Sequence, residues 1–458
     1  MTGLDIAQDP ELSAFVAAKA EELHVPGASV GVVHGDRTYA ATHGVTSTQD
    51  PLEVDLDTLF MIGSTSKTLT ATALMVLVDR GTLTLKDRVI DHLPDFRVGD
   101  AEATQTVTVE QLLNHTAGWR GDALPQTGFG DDALARAMDV VAEGPQEYPP
   151  GRYVSYNNAS LLVAGHLVAT LTGTTYEEAV ADLVLLPLGM TNTFASPWDT
   201  AQRRAAVGHV VTDGVATAVP IWPLSRAIVP AGGVLSSLRD QLAYLRYHLD
   251  GTTTGTAPLL EETRLLMQEP TADCRSTLTG VGLSWLLSDY GDRRMVAHGG
   301  NVSNLQTSAF HFLPDARLGV TVMGNSRYGA VLGKEVLQWA IEHYLGAPPR
   351  PHLPTLPLTP ELIADYVGEY DLGPWSWGVT TQDGKLFTEM ILPDGTSDEI
   401  RAAFAAPPTE MVLVGEDQLA PAAAPVEASA DFVRDASGRV AWFRHGMRMA
   451  PVKKSSVA

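Results

Sequence analysis

The chain has 458 residues, 45% of them hydrophobic, and a formal net charge of −23. Such a chain buries at least one large core, and its length suggests two or three domains. The acidic balance, with no basic patch, excludes a nucleic-acid binder and offers nothing to an anionic membrane. Cys274 is the only cysteine, which excludes an internal disulfide and a zinc site of paired cysteines. The first twenty residues carry Asp5, Asp9, Glu11 and Lys19 and lack a signal-peptide apolar core. No stretch reaches the roughly 20 apolar residues that span a bilayer. A cytoplasmic protein is the expectation.

Residues 10–23 read as an amphipathic helix that starts at Pro10 and is ended by Pro26-Gly27. Ala28 to His34 reads as a strand, His34-Gly35-Asp36 as a tight turn, and Arg37 to Gly44 as the returning strand of a hairpin. Residues 65–80 are apolar on nearly all sides, the mark of a buried helix. Helical patterns recur at 108–114, 131–142, 158–171, 176–184 and 237–248. Strand patterns return at Gly282–Leu287, Arg294–His298, Ser308–Phe312 and Gly319–Met323, and a helix at 331–345 closes the series. The first and last strands together predict one antiparallel sheet flanked by helices, with the intervening helices as a helical subdomain, an α+β fold with a cleft between the two.

Six prolines then fall in residues 348–360, a stiff extended segment. Beyond it the pattern is short strands and turns: Tyr366 to Leu372, Trp377 to Thr381, Asp383 to Phe387, Met411 to Val414, Asp431 to Arg434, and a hairpin at 435–443. The expected organisation is an α+β domain over 1–346, a linker over 347–358 and a small all-β, barrel-like domain over 359–458. Ala420 to Ala430 is low in complexity and reads as a loose loop.

Ser64-Thr65-Ser66-Lys67 begins the long apolar helix. Positions three apart share a helix face, so Lys67 can serve Ser64 as its base. The helix N-terminus favours a developing oxyanion. Of the seven lysines, only Lys67 has a serine three residues before it. The alternative is an ordinary helix start with Ser64 as N-cap. A second element is Tyr153-Val154-Ser155-Tyr156-Asn157-Asn158. A tyrosine hydroxyl beside an ammonium has its pKa lowered and can shuttle protons. The Asn158 amide can hold a lysine with its oxygen and a substrate with its nitrogen. The third element is Ala297-His298-Gly299-Gly300-Asn301 at the end of a strand, where two glycines allow close backbone approach. The Asn301 N–H can then join that of Ser64 as an oxyanion hole. The alternative is a strand-end turn with an exposed His298. As part of the site, His298 is expected to tune substrate choice and, titrating near ~6.5, to change activity across neutral pH.

In these three motifs the chain resembles the serine β-lactamase and penicillin-binding-protein superfamily, and most of all its class C branch with its esterases and D-aminopeptidases. Ser64-x-x-Lys67, Tyr156-x-Asn158 and His298-Gly299-Gly300 match the family's Ser-x-x-Lys, Tyr-x-Asn and Lys-Thr-Gly or His-x-Gly. Leu112 to Gly118 and Pro230 to Ser237 resemble two supporting segments, and the likeness runs over about residues 10–345. The C-terminal part looks like the lipocalin-like domain of some members. The resemblance implies Ser64, Lys67 and Tyr156 as catalytic residues, and Asn158, His298, Gly299, Gly300 and Asn301 as the substrate and oxyanion side. It implies no metal and no organic cofactor, a small-molecule ester or amide as substrate, and leaves room for a homo-oligomer. His298 stands where drug-hydrolysing members carry lysine, which removes a fixed cation. Carboxylic-ester hydrolysis through a Ser64 acyl-enzyme is therefore the expected activity. The rivals are a D-amino-acid peptidase or amidase, a biosynthetic acyltransferase, a β-lactamase and a non-catalytic binding protein on the same fold. His115 is expected to be a satisfied structural histidine. Trp119, Trp222, Tyr153 and Trp285 are candidates for the pocket wall, with core packing as the plainer role.

Overall fold

The structure, a computed structural model, describes residues 4–453 except 123, 201, 220–223, 275–277, 398–400, 402–403, 405 and the side chains of 197–198. Trp222 therefore lies outside the described residues. A seven-stranded antiparallel sheet organises the first three quarters of the chain. Its order is Arg37–Gly44, Gly27–His34, Leu318–Gly324, Gln306–Leu313, Arg293–Val302, Leu286–Tyr290 and Gly280–Val281. The first hairpin thus pairs with strands almost 300 residues away, Val30 opposite Val322 and Val32 opposite Val320.

Side chains alternate between the two faces of this sheet. On one, Val30, Val32, Val320 and Val322 pack with Leu12 and Val16 of helix Pro10–Glu22 and with Leu332 and Val336 of helix Gly329–Leu345. On the other, Val33, Phe310, Phe312 and Met323 meet Leu238, Leu242 and Leu245 of helix Leu238–Asp250. Gly31 is a glycine because a Cβ there would lie 2.6 Å from Leu242 Cδ2. Beyond that layer sit the helical elements, with helix Ser66–Asp79 buried from Ser66 to Leu77 against helix Asn158–Thr172. Its buried hydroxyls are paired: Thr70 with Tyr176 and the Pro230 carbonyl, Thr72 with Tyr244.

The C-terminal part is an eight-stranded antiparallel meander from Gly368–Asp371 to Arg448–Pro451. A bridge between Tyr370 and Val452 brings its last strand back to its first, so the sheet is nearly closed. Tyr366, Tyr370, Phe432 and Phe443 fill it, with Tyr366 stacked on Phe432 at 4.0 Å. The proline-rich segment is fastened on the way: Leu353 and Leu356 N–H donate to Pro425 and Leu413 carbonyls, and Arg350 pairs with Glu427.

Three expectations are corrected. Gly282–Leu287 is not one strand: Ser284 has φ +60°, and the N–H groups of Leu283 and Ser284 leave the sheet for Met267 and Leu113. Tyr366 ends the helix Pro360–Tyr366, capped by Thr359, and the strand starts at Gly368. Ala420–Ala430 is loop only in its middle, because Gln418–Pro421 and Ala430–Arg434 are strands. Among the described residues, no helix is long and apolar enough to cross a membrane.

Candidate active site

Ser64 lies in a single 3-10 turn, Gly63–Thr65, that leads into helix Ser66–Asp79. The turn is pinned from both sides. Ser66 Oγ donates to the Gly63 carbonyl at 2.7 Å and accepts the Val234 N–H at 3.1 Å. Thr65 Oγ1 pairs with Ser308 Oγ at 2.8 Å, and Ser308 donates to the Ile62 carbonyl at 2.7 Å. The Ser64 hydroxyl is thereby left out of capping, and Lys67 Nζ donates to it at 3.0 Å.

Lys67 is fully buried, and its Nζ also donates to the Ala231 carbonyl at 2.5 Å. Burial, helped by the charge of Arg448 and opposed by Asp122, holds its pKa well below the lysine range. The free amine is favoured there, and a free amine is a base. Tyr156 also hydrogen-bonds Ser64, and Lys67 Nζ stands 4.8 Å from its ring centre. The expected lowering of the Tyr156 pKa is corrected. Burial raises it above the ordinary phenol value, more than Arg448 and the Ser64 bond lower it. Tyr156 therefore holds a proton at neutral pH.

Asn157 caps its helix by accepting the Ser160 N–H at 2.8 Å. Asn158 points its amide nitrogen at Asp122 Oδ1, 2.8 Å away. His115, with φ +60°, accepts the Asn157 N–H on Nδ1 at 3.2 Å and lies 4.6 Å from the Tyr156 ring. Its Nε2 is buried without a partner, so the expectation of a fully satisfied histidine is not met.

The third motif sits in strand Arg293–Val302. Gly300 is indispensable, because a Cβ would lie 1.9 Å from the Ile62 carbonyl oxygen. Gly63, at φ +51°, would bring a Cβ within 2.7 Å of the Asn301 nitrogen, so the Ser64 turn and the Asn301 N–H adjoin. The Asn301 side chain is spent on Asn304, at 2.7 and 2.8 Å. Gly299 is exposed. His298 is not the exposed histidine of the alternative reading: it is 1% exposed. Its Nδ1 donates to the Gly299 carbonyl at 2.8 Å, and its Nε2 has no partner. Burial first, then the charge of Lys67, push it down to about 3, so it is neutral where a free histidine would titrate.

One participant escaped sequence reading. The turn between strands Val440–His445 and Arg448–Pro451 of the barrel docks on the tyrosine segment. The Met447 carbonyl, at φ +65°, accepts the Tyr156 N–H at 2.8 Å, and Ser155 Oγ accepts the Met449 N–H at 3.1 Å. Arg448 lies over the Tyr156 ring at 4.7 Å, and its Nε donates to Asp122 Oδ2 at 2.7 Å. Of the pocket-wall candidates, Trp119 borders a small cavity with Asp122, Tyr156 and Arg448. Trp119 and Trp285 are in the main core, and Tyr153 packs on Trp442 at the junction with the barrel. Among the described residues, no group of three or more histidine, cysteine or acidic side chains is gathered to hold a metal.

A serine, a buried lysine and a buried tyrosine thus meet at a helix start beside an antiparallel sheet. The chain belongs to the beta-lactamase family, whose profile matches residues 12–343. It is 35% identical over 319 residues to penicillin-binding protein 4 of Amycolatopsis lactamdurans, covering 68% of this chain and 83% of that one. The crystal structure of SurE superposes with a TM-score of 0.75 at 25% identity, over 97% of this chain and 98% of that one. A class C β-lactamase from Rhodobacter sphaeroides superposes with a TM-score of 0.61 at 26% identity, over 74% of this chain and all of that one.

Proposed function

We propose that this chain is a serine hydrolase that cleaves carboxylic esters through a Ser64 acyl-enzyme. The observation that carries the reading is the Ser64 hydroxyl held between a buried amine and a buried phenol. Lys67 takes the hydroxyl proton as Oγ attacks the carbonyl. The N–H groups of Ser64 and Asn301 receive the oxyanion. Tyr156 gives its proton to the leaving alkoxide and is reprotonated from Lys67. Water then attacks the acyl-enzyme by the same route in reverse. Lys67 and Tyr156 titrate as a pair. A neutral His298 offers no fixed charge to a substrate carboxylate, which supports neutral esters.

A second reading is supported by Arg448. Its Nε is spent on Asp122, while its Nη1 makes only a 3.5 Å bond to the Gly446 carbonyl. Such a guanidinium suits a carboxylate, and so a substrate or acyl acceptor with a free carboxylate, such as a peptide C-terminus. The test is turnover of p-nitrophenyl esters, D-amino-acid amides and nitrocefin by the full chain, with and without an added amine. Ester hydrolysis with a mass adduct on Ser64 is expected, and neither should survive in Ser64→Ala. Faster turnover of nitrocefin, the probe among these that carries a carboxylate, selects the second reading. Ester hydrolysis undiminished in Ser64→Ala overturns the acyl-enzyme.

A further inference from the structure

We propose that Asp122 and Arg448 form a positioning pair for the Lys67–Tyr156 base, with Asp122 gripping Asn158 and Arg448 at once and so tying the C-terminal barrel to the proton-transfer machinery. The proposal rests on the Ser64 acyl-enzyme reading.

Asp122 is a buried carboxylate with a side chain only 6% exposed. Each of its oxygens is used on a different part of the chain: Oδ1 accepts from Asn158 at 2.8 Å, Oδ2 from Arg448 at 2.7 Å. The backbone before it is laid directly on the tyrosine motif. The Gly121 carbonyl accepts the N–H groups of Asn158 and Ala159 at 3.1 and 3.0 Å. Residue 121 must be glycine, because a Cβ would lie 2.6 Å from the Asn157 Cα. Neither Asp122 nor Arg448 belongs to the three motifs, yet both are fixed against the middle one.

The electrostatic consequence follows from geometry. The Tyr156 ring carries the Lys67 amine at 4.8 Å and the Arg448 guanidinium at 4.7 Å. Arg448 opposes a second positive charge on Lys67 and favours a phenolate, and Asp122 does the reverse. The other titratable groups around the ring are His115, His298, the Ser64 hydroxyl and Cys274. Both histidines are held below their usual range by burial, so they carry no charge at neutral pH. The pair is therefore the adjustable charge facing the base. Its two members pull in opposite directions, a signature that a purely structural contact lacks.

The experiment is the pH profile of Ser64 labelling by a fluorophosphonate, on the full chain, which reads the base without choosing a substrate. Labelling needs Lys67 as the free amine. Arg448→Gln should move the acid limb to higher pH, and Asp122→Asn should move it to lower pH, each by about one unit. The double variant should return near the wild-type limb with a lower rate. Arg448→Lys keeps the charge and should keep the limb. It also serves as the check should Arg448→Gln fold poorly. Limbs that stay in place, or that move the same way in both single variants, overturn the pair. Undiminished labelling of Ser64→Ala instead removes the acyl-enzyme reading beneath it, so the two failures are told apart.

Discussion

Two segments from distant parts of the chain face the Tyr156 ring, and they differ in what burial has done to their charge. His298, in the sheet, lies 6.0 Å from the ring and is pushed down to about 3, so it is neutral. Arg448, on the barrel turn, lies 4.7 Å from the ring and is paired with Asp122. An imidazolium is only marginally stable even in water, whereas a guanidinium keeps its proton through any ordinary loss of solvent. The charge at this site thus follows what survives burial. The third-motif histidine is uncharged here, and the cation beside Tyr156 comes from another part of the fold.

The sharpest challenge to this comparison removes what both segments serve. Ser64→Ala and Lys67→Ala should each cut turnover on the order of 10³-fold or more, and Tyr156→Phe somewhat less, measured as steady-state rates and as adduct formation by intact mass. A variant that keeps near-full rates would make the segments around Tyr156 irrelevant to chemistry.

Next is the barrel itself. We expect a chain ending at Leu345 to stay folded, because the two hydrophobic clusters on the seven-stranded sheet draw only the partly buried Ala347 from beyond that residue. It loses Met447 and Arg448, so Ser64 labelling should fall about 10- to 100-fold. Circular dichroism checks the fold and labelling kinetics the site. An unchanged rate with unchanged substrate range would assign the barrel some role away from Tyr156.

A smaller effect separates the two segments by pH. A neutral His298 predicts no limb near pH ~6.5 that is abolished by His298→Gln. Should such a limb exist and vanish in that variant, His298 is charged and the comparison fails. His298→Lys places an ammonium where the histidine is 1% exposed. It should lower the melting temperature, which calorimetry would read.

The smallest effects are on stability. Lys67 has a folded pKa well below its unfolded one, near ~10.4, so keeping it buried costs stability at neutral pH. Lys67→Met should raise the melting temperature by a few degrees while abolishing activity. His298, His311 and His445 are held at about 3, 4 and 4 by burial. Below ~6.5 the unfolded chain binds more protons than the folded one at these positions. Their contribution is complete above that pH and should be lost as the pH falls toward 4 and then 3. Denaturant midpoints flat across pH 4–7 would contradict it.

The sequence by itself determined the local parts. Ser64-x-x-Lys67 reads as a nucleophile and its base because helical spacing puts i and i+3 on one face, and Lys67 indeed reaches Ser64 Oγ. The apolar run before the His34-Gly35-Asp36 turn marked the first strand, and the all-round apolar run marked the buried helix Ser66–Asp79, because burial is written in neighbouring residues. The Tyr366 helix was hidden because aromatic residues suit strands, while its Thr359 cap and Pro360 were the available signal. The charges were beyond sequence. Whether His298 titrates, whether Tyr156 is a phenol, and that Asp122 meets Arg448 across 326 positions all depend on which groups exclude water from one another. Only the docking of the barrel turn on the Tyr156 segment decides that, since desolvation and Coulomb energy are properties of distances in space and not of separation along the chain.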